Sequence, residues 1–246
     1  MPRLPAIDFG LSKGTTMVKH IGIVACSAEG AALCYRTICA EAAARMGEHN
    51  HPEITMHTHA LAKYMAHIRC GQWDRVAELM LSSARIVAGA GAQFAICPDN
   101  TIHQAFDRVQ AGSPIPWLHI ARVVAAQGRA AGHKKVGVLG TKYLMTGPVY
   151  TESLAAAGIE RVIPDDPDLE HIDQIIFSEL VYGVFTEASR EYFNDVIGQM
   201  RMGGATAVVL GCTEIPLLVR PEEAPLPTLD STRLLGRAAL DYALTP

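Results

Sequence analysis

Residues 94–106 read FAICPDNTIHQAF: an apolar run stops abruptly at a proline, an aspartate, an amide and a hydroxyl. Residues 207–214 read AVVLGCTE and follow the same pattern, with Cys212 in the place that Asp99 has in the first stretch. Short apolar runs bounded by Pro or Gly are typical of buried strands. The two stretches therefore predict two strands that each deliver an ionisable side chain at the carboxyl end.

A second pair of stretches shows a related pattern. HIGIVACSAEG at 20–30 and KKVGVLGTKYL at 134–144 each pass from an apolar strand into a loop of small and hydroxyl residues. Further strands are predicted at 52–61 and 161–164, and the last buried strand is predicted to lie within 205–219. Between the strands, apolar spacing predicts helices at 29–46, 73–90, 103–110, 116–132, 146–157, 168–202 and 231–243. This alternation predicts an α/β fold with parallel sheets covered on both faces.

Because each pattern occurs once in either half of the chain, we predict two similar α/β domains, each a mainly parallel sheet flanked by helices. We divide the chain into a loose N-terminal arm at 1–16, a first domain at 17–115 plus 226–246, and a second domain at 116–225. Ligands of open α/β sheets bind outside the carboxyl ends of the strands. Two facing halves thus predict an active site in the interdomain cleft, with Asp99 on one side and Cys212 on the other.

The composition narrows the function classes. The 246 residues are 49% hydrophobic and 19% charged, with a net charge of -4 and a pI near 6.2, so we expect neither nucleic acid nor an anionic membrane as a partner. No apolar run is long enough to span a bilayer, and residues 1–16 lack a signal peptide's apolar core. Six scattered cysteines without a CxxC pair favour free thiols in a reducing compartment, the cytoplasm. Because no metal-ligand cluster, phosphate loop or dinucleotide motif occurs, we expect no metal and no organic cofactor.

From about residue 18, nearly the whole chain resembles the aspartate/glutamate racemase family. The motifs that carry the resemblance are NTIH at 100–103, GVLGT at 137–141, YTESLAAAGIERVIPDD at 150–166, SELVYGVFTEASREYF at 178–193 and AVVLGCTEIPLLV at 207–219. The resemblance implies racemisation of an amino acid without pyridoxal phosphate, by two facing acid/base groups that are usually both cysteines. It also implies a small carboxylate substrate and a homodimer, and it places Thr141 at a substrate-contacting position.

Racemisation needs a base on one face of Cα and a proton donor on the other, and the two groups exchange roles for the opposite enantiomer. A thiol suits either role because its ordinary pKa of about 8.5 can be tuned in both directions. The developing carbanion also needs hydrogen-bond donors at its carboxylate. The side chains available as donors are Ser27, Asn100, Thr101, Thr141 and Thr213.

The chain departs from the family pattern at one catalytic position. Asp99 stands where the family has its first cysteine, whereas Cys212 keeps the second. Cys97 lies two residues earlier on the same side of an ideal strand, but Pro98 intervenes and Asp99 holds the matching place. Burial and a neighbouring thiolate would raise the pKa of Asp99 above its ordinary value of about 3.9, which would allow reversible proton transfer.

Two other functions stay open at this point. An Asp99 with an unshifted pKa would favour a one-way reaction, so the second hypothesis is a decarboxylase, lyase or isomerase of an α-substituted acid or diacid that uses mainly Cys212. The third hypothesis is a non-catalytic two-lobed binding protein. The strand-end thiol and the lack of a secretion signal disfavour this third hypothesis.

Several auxiliary candidates have two roles each. His103 could polarise a substrate or stay structural. Glu214 could orient Cys212 or cap the next segment, and Ser27 could hold a carboxylate or cap a helix. His57 and His59 lie where aspartate-specific relatives place an arginine, and histidine does not replace a bidentate arginine grip. We therefore expect a different or broader amino acid, or an α-substituted acid, as the substrate.

Overall fold

The computed structural model describes residues 18–245, and within this range the chain forms two four-stranded sheets. The first contains β1 (Ile21–Ala25), β2 (Ile54–Thr58), β3 (Phe94–Ile96) and β4 (Trp117–Leu118), in the spatial order β2-β1-β3-β4. The second contains β5 (Lys135–Leu139), β6 (Glu160–Val162), β7 (Ala207–Leu210) and β8 (Thr228–Asp230), in the equivalent order β6-β5-β7-β8. All of these pairings are parallel. The predicted α/β fold with two similar parallel sheets is confirmed.

Helices cover both faces of each sheet. In chain order they are α1 (Ala28–Met46), α2 (Leu61–Ile68), α3 (Trp73–Gly89), α4 (Phe106–Gly112), α5 (Ile120–Ala130), α6 (Lys142–Thr146), α7 (Pro148–Ala156), α8 (Asp166–Ser178), α9 (Glu187–Met202), α10 (Ile215–Leu218) and α11 (Ser231–Leu244), with 3₁₀ turns at Thr101–Ala105 and Leu180–Tyr182. The first sheet packs on α1 and α11 at one face and on α2 and α3 at the other. The second sheet packs on α5 and α7 at one face and on α8 and α9 at the other. Among these described helices, none combines the length and apolar character that a bilayer crossing requires.

The observed elements differ from the predicted ones in four places. The helix predicted over 168–202 is broken, because Gly183 takes a left-handed conformation (φ 73°) directly after the second 3₁₀ turn. The helix predicted from residue 116 starts at Ile120, because Trp117 and Leu118 extend along β3. β8, and not β7, is the last strand. The sequence analysis also does not predict α2. Both missed elements are short, and short apolar segments have no clear period.

Two strand pairings cross the predicted domain boundaries. β4 pairs with β3, so the first sheet extends beyond the boundary predicted at 115/116. β8 pairs with β7, so the second sheet extends beyond the boundary predicted at 225/226. Edge strands of two and three residues carry too little apolar sequence to be recognised. The predicted arm at 1–16 lies outside the described residues, and the division into two domains remains a prediction.

Gly30 marks a point where the two halves of the chain approach closely. It lies in the first turn of α1, which follows β1 of the first sheet. A Cβ at this position would lie 2.3 Å from Cγ2 and 2.6 Å from Cβ of Thr213, which follows β7 of the second sheet. A β-carbon is fixed to the backbone, so this contact cannot be relieved by a rotamer change. The small residue therefore allows the carboxyl ends of the two sheets to meet.

We predict that Gly30→Ala destabilises the protein by about 1–3 kcal/mol, the usual cost of overpacking. For a chain of this size that corresponds to a melting temperature lower by roughly 2–12 °C. The matched control is Gly198→Ala inside α9, where an added Cβ meets nothing within 4 Å; its stability should be unchanged or higher. Thermal unfolding of both variants decides the matter. A Gly30→Ala variant as stable as Gly198→Ala would contradict the close approach.

Candidate active site

A narrow cavity of about 40 Å³ lies between the carboxyl ends of the two sheets. Its position agrees with the rule that parallel α/β sheets bind ligands at the carboxyl ends of their strands. The first sheet contributes the loops after β1 and β3, and the second contributes those after β5 and β7. The predicted site residues that line the cavity are Ser27, Asp99, Asn100, Thr101, Thr141, Cys212, Thr213 and Glu214.

Asp99 follows β3, and the exposed part of its side chain faces the cavity. Burial raises the pKa of this carboxyl to about 6, and the nearby charge of Glu214 adds to the effect. Hydrogen bonds from the thiol of Cys26 and from the main-chain N–H groups of Ile102 and Thr101 act in the opposite direction and limit the rise. Asp99 is therefore mostly ionised at neutral pH, yet it can hold a proton at slightly acidic pH.

Cys212 follows β7 and lines the same cavity. Its Sγ donates a hydrogen bond to Oε2 of Glu214 over 3.0 Å. Burial raises the pKa of this thiol well above its ordinary value, and the charge of Glu214 raises it further. At neutral pH the cavity thus holds a carboxylate base at Asp99 and a protonated thiol at Cys212.

Two pairs of hydroxyl groups join the sheets around the cavity. Ser27 Oγ and Thr213 Oγ1 lie 3.0 Å apart, and Thr101 Oγ1 and Thr141 Oγ1 also lie 3.0 Å apart. In each pair one hydroxyl comes from the first sheet and the other from the second. Ser27 additionally accepts from the N–H of Gly30 at 3.3 Å, so both of its predicted roles, helix cap and cavity lining, apply to its position.

The side chain of Asn100 bridges the loop after β3 to the second sheet. Its Nδ2 donates to Ser231 Oγ at 3.0 Å, and its Oδ1 accepts from the hydroxyl of Tyr150 at 2.8 Å. Ser231 in turn donates to the main-chain oxygen of Leu210, at the end of β7. This chain of hydrogen bonds holds the loop after β3 against the second sheet. One hydrogen of the Asn100 amide is not used by these bonds and the residue lines the cavity, so its predicted contact with a substrate stays a prediction beside this bridging role.

His103 points away from the cavity. Its Nδ1 donates to the main-chain oxygen of Asp99 at 2.8 Å, and its Nε2 accepts from the N–H of Ile120 at 3.4 Å. Burial lowers the pKa of this imidazole to about 4, so it is neutral at pH 7. Of its two predicted roles, the geometry fits the structural one, which fixes the backbone at Asp99.

Two other candidates also lie outside the cavity lining. His59 Nε2 is bound to Ser82 Oγ at 2.6 Å and lines a neighbouring groove. Cys97 is fully buried, and its Sγ lies 3.9 Å from the main-chain oxygen of Asp99. Asp99 lines the cavity and Cys97 and His59 do not, while the roles of these three residues stay predictions.

Sequence reasoning missed two components of the cavity. Cys26 lines it beside the Asp99 carboxyl, and its place directly before Ser27 in the loop after β1 could have indicated this. Apolar side chains from α2, α8 and the turn after α8 form much of the remaining lining. No local sequence pattern connects these distant segments. In the described part of the chain, no group of three or more His, Cys, Asp or Glu residues is arranged to hold a metal ion.

Comparisons with known proteins agree with this architecture. The family model for Asp/Glu/hydantoin racemase matches residues 21–239. The broad specificity amino-acid racemase RacX of Bacillus subtilis is 23% identical over 173 residues, which cover 70% of this chain and 74% of RacX.

Solved structures also resemble the chain over most of its length. A crystal structure from Yersinia pestis, provisionally assigned as an Asp/Glu racemase, is 34% identical, with a TM-score of 0.85 over 92% of this chain and 100% of that one. An aspartate racemase homologue from Pyrococcus horikoshii OT3 is 27% identical, with a TM-score of 0.79 over 92% and 100% of the two chains. From the family match over most of its residues, this chain belongs to the Asp/Glu/hydantoin racemase family.

Proposed function

We propose that the protein is a cofactor-independent amino-acid racemase or epimerase in which Asp99 and Cys212 are the two acid/base groups. One observation carries the proposal. A carboxyl and a thiol from strand ends of different sheets line one cavity, and their pKa values leave the first as a base and the second as an acid at neutral pH. A two-base inversion needs this complementary protonation.

The proposed reaction begins with the Asp99 carboxylate. It removes the Cα proton, and the electron pair of the broken C–H bond is delocalised into the α-carboxylate of the substrate. The Cys212 thiol then gives its proton to the opposite face of Cα, which forms the new C–H bond and leaves a thiolate. This thiolate lies beside the carboxylate of Glu214, which raises its basicity and suits it to start the reverse reaction.

The hydroxyl pairs supply the donors that the α-carboxylate needs. Ser27, Thr101 and Thr141 each carry a hydroxyl at the cavity that can turn its proton to a bound anion, whereas the Thr213 hydroxyl donates to Oε2 of Glu214 at 2.7 Å and accepts from Ser27. Such donors stabilise the negative charge that develops on the carboxylate in the transition state.

Proton NMR in heavy water tests the proposed function. The purified protein is incubated with single enantiomers of a panel of amino acids, and the products are separated by chiral chromatography. A racemase will remove the Cα proton signal and produce the opposite enantiomer with deuterium at Cα. Unchanged signals and unchanged enantiomers for every amino acid would reject the function.

A one-way reaction is the second candidate, because the two acid/base groups differ. Loss of carbon dioxide from an α-substituted diacid breaks a C–C bond, leaves a carbanion at Cα and needs only a proton from the Cys212 thiol. The apolar side chains that line the cavity would destabilise the carboxylate that leaves. Including α-substituted diacids in the same NMR panel separates this candidate, since it consumes substrate without producing an enantiomer.

We predict that Asp99→Asn lowers kcat/KM for racemisation by roughly 10²–10⁴, the usual contribution of a positioned general base. An amide cannot accept the Cα proton, whereas the thiol of Asp99→Cys can, so Asp99→Cys should remain active. The matched control is Asp107→Asn on the exposed face of α4, which should keep wild-type activity. A fully active Asp99→Asn racemase would exclude Asp99 as a base.

The dependence of kcat/KM on pH should show the titration of the Asp99 carboxyl. In the direction that Asp99 starts as a base, kcat/KM should fall as the pH falls through about 6, because the carboxylate becomes protonated. In Asp99→Cys this limb should move upward by two or more pH units, since an ordinary thiol has a pKa of about 8.5. Initial rates measured from pH 5 to 9 on both proteins make the test. If kcat/KM fell at the same pH in both proteins, the fall would be due to a group other than residue 99.

A further inference from the structure

The cavity has one apolar wall built by two segments that are distant in sequence. Leu61, Met65 and Ile68 lie on one face of α2 at i, i+4 and i+7. Ile176, Phe177 and Val181 come from the end of α8 and the 3₁₀ turn after it. These six residues form what we call the apolar wall. It belongs to both halves of the protein, since α2 packs on the first sheet and α8 on the second.

The ionisable groups at the cavity are acids and not bases of the Lys, Arg or His type. Among the described residues that line it, the ionisable ones are Cys26, Asp99, Tyr143, Cys212 and Glu214. Two of them are carboxyls, and the charge of Glu214 already raises the pKa of Asp99. The surroundings of the cavity are therefore unfavourable to a further negative charge.

Two cationic candidates near the predicted site residues, Lys142 and His59, do not line the cavity. Lys142 follows Thr141, but its ammonium group forms an ion pair with Glu170 and does not line the cavity. The main-chain N–H of Lys142 donates to Asp173 Oδ1 at 2.6 Å, which holds this residue on α8. His59 lies in the neighbouring groove.

The geometry points to a substrate whose side chain is apolar and uncharged, an amino acid such as leucine or methionine and not aspartate or glutamate. This inference rests on the proposed racemase function and names the substrate class for the same site. An amino acid of this size needs the cavity, about 40 Å³ in this structure, to open. The hydroxyl groups can then hold the α-carboxylate, and the apolar wall can cover an apolar side chain. A distal carboxylate would instead be buried without a counter-charge, next to Asp99 and Glu214.

Competition between amino acids in heavy water tests the inference. Exchange of the Cα proton is measured for leucine, methionine and valine against aspartate and glutamate, each as both enantiomers. We expect kcat/KM to be at least tenfold higher for the apolar amino acids. Faster exchange of aspartate or glutamate would overturn the inference and leave the racemase function standing. Absence of exchange with every amino acid would overturn the racemase function itself, and the inference with it.

Met65→Lys tests the wall directly. A lysine ammonium at this helix position would supply the missing counter-charge, so the ratio of kcat/KM for aspartate to that for leucine should rise at least tenfold. Met202→Lys is the matched control, since Met202 is 80% exposed at the end of α9, and it should leave the ratio unchanged. An unchanged ratio in a folded Met65→Lys variant would show that the substrate side chain does not contact the wall, and would overturn the inference.

Discussion

The hydrogen bonds between hydroxyl groups of opposite sheets are the contacts on which the site depends. Ser27 bonds to Thr213 and Thr141 to Thr101, so each pair joins the loop after the first strand of one sheet (β1 or β5) to the loop after the third strand, in chain order, of the other sheet (β7 or β3). The two sheets have equivalent strand orders, which makes the two pairs equivalent as well. This internal symmetry brings the ends of β3 and β7 to one cavity. Asp99 and Cys212 follow these two strands, and they meet there for that reason.

The chemistry of the cavity is less symmetric than its framework. A site with two thiols could rest with either one deprotonated, whereas here one group is a carboxyl with a pKa of about 6 and the other is a thiol whose pKa lies well above the ordinary value. At pH 7 the Asp99 carboxylate outnumbers its protonated form by about ten to one. In the proposed reaction, the resting protein is thus poised for one direction of proton transfer and reaches the other protonation state mainly through turnover. Hydrogen bonds from Cys26 and from two main-chain N–H groups keep the pKa of Asp99 from rising further.

The sequence predicted the central strands and the residues at their ends, because buried strands that end at polar residues leave a strong local pattern. It did not predict β4 and β8, which are edge strands of two and three residues. The sequence also did not predict which hydrogen bonds individual polar side chains form. Asn100 and His103 stand in a family motif, yet their hydrogen bonds go to Ser231, Tyr150 and the backbone, which only tertiary structure decides. The apolar wall joins α2 to α8, and no spacing along the chain connects them.

The central claim is that Asp99 and Cys212 act on opposite faces of the same Cα, and one measurement tests it most directly. In Cys212→Ala, the Asp99 carboxylate can still remove a proton from one enantiomer, but no opposing thiol can complete the inversion. Proton NMR in heavy water, followed by chiral analysis, should therefore show that one enantiomer alone exchanges its Cα proton for deuterium and keeps its configuration. Exchange of both enantiomers, or continued racemisation by Cys212→Ala, would contradict the two-base arrangement.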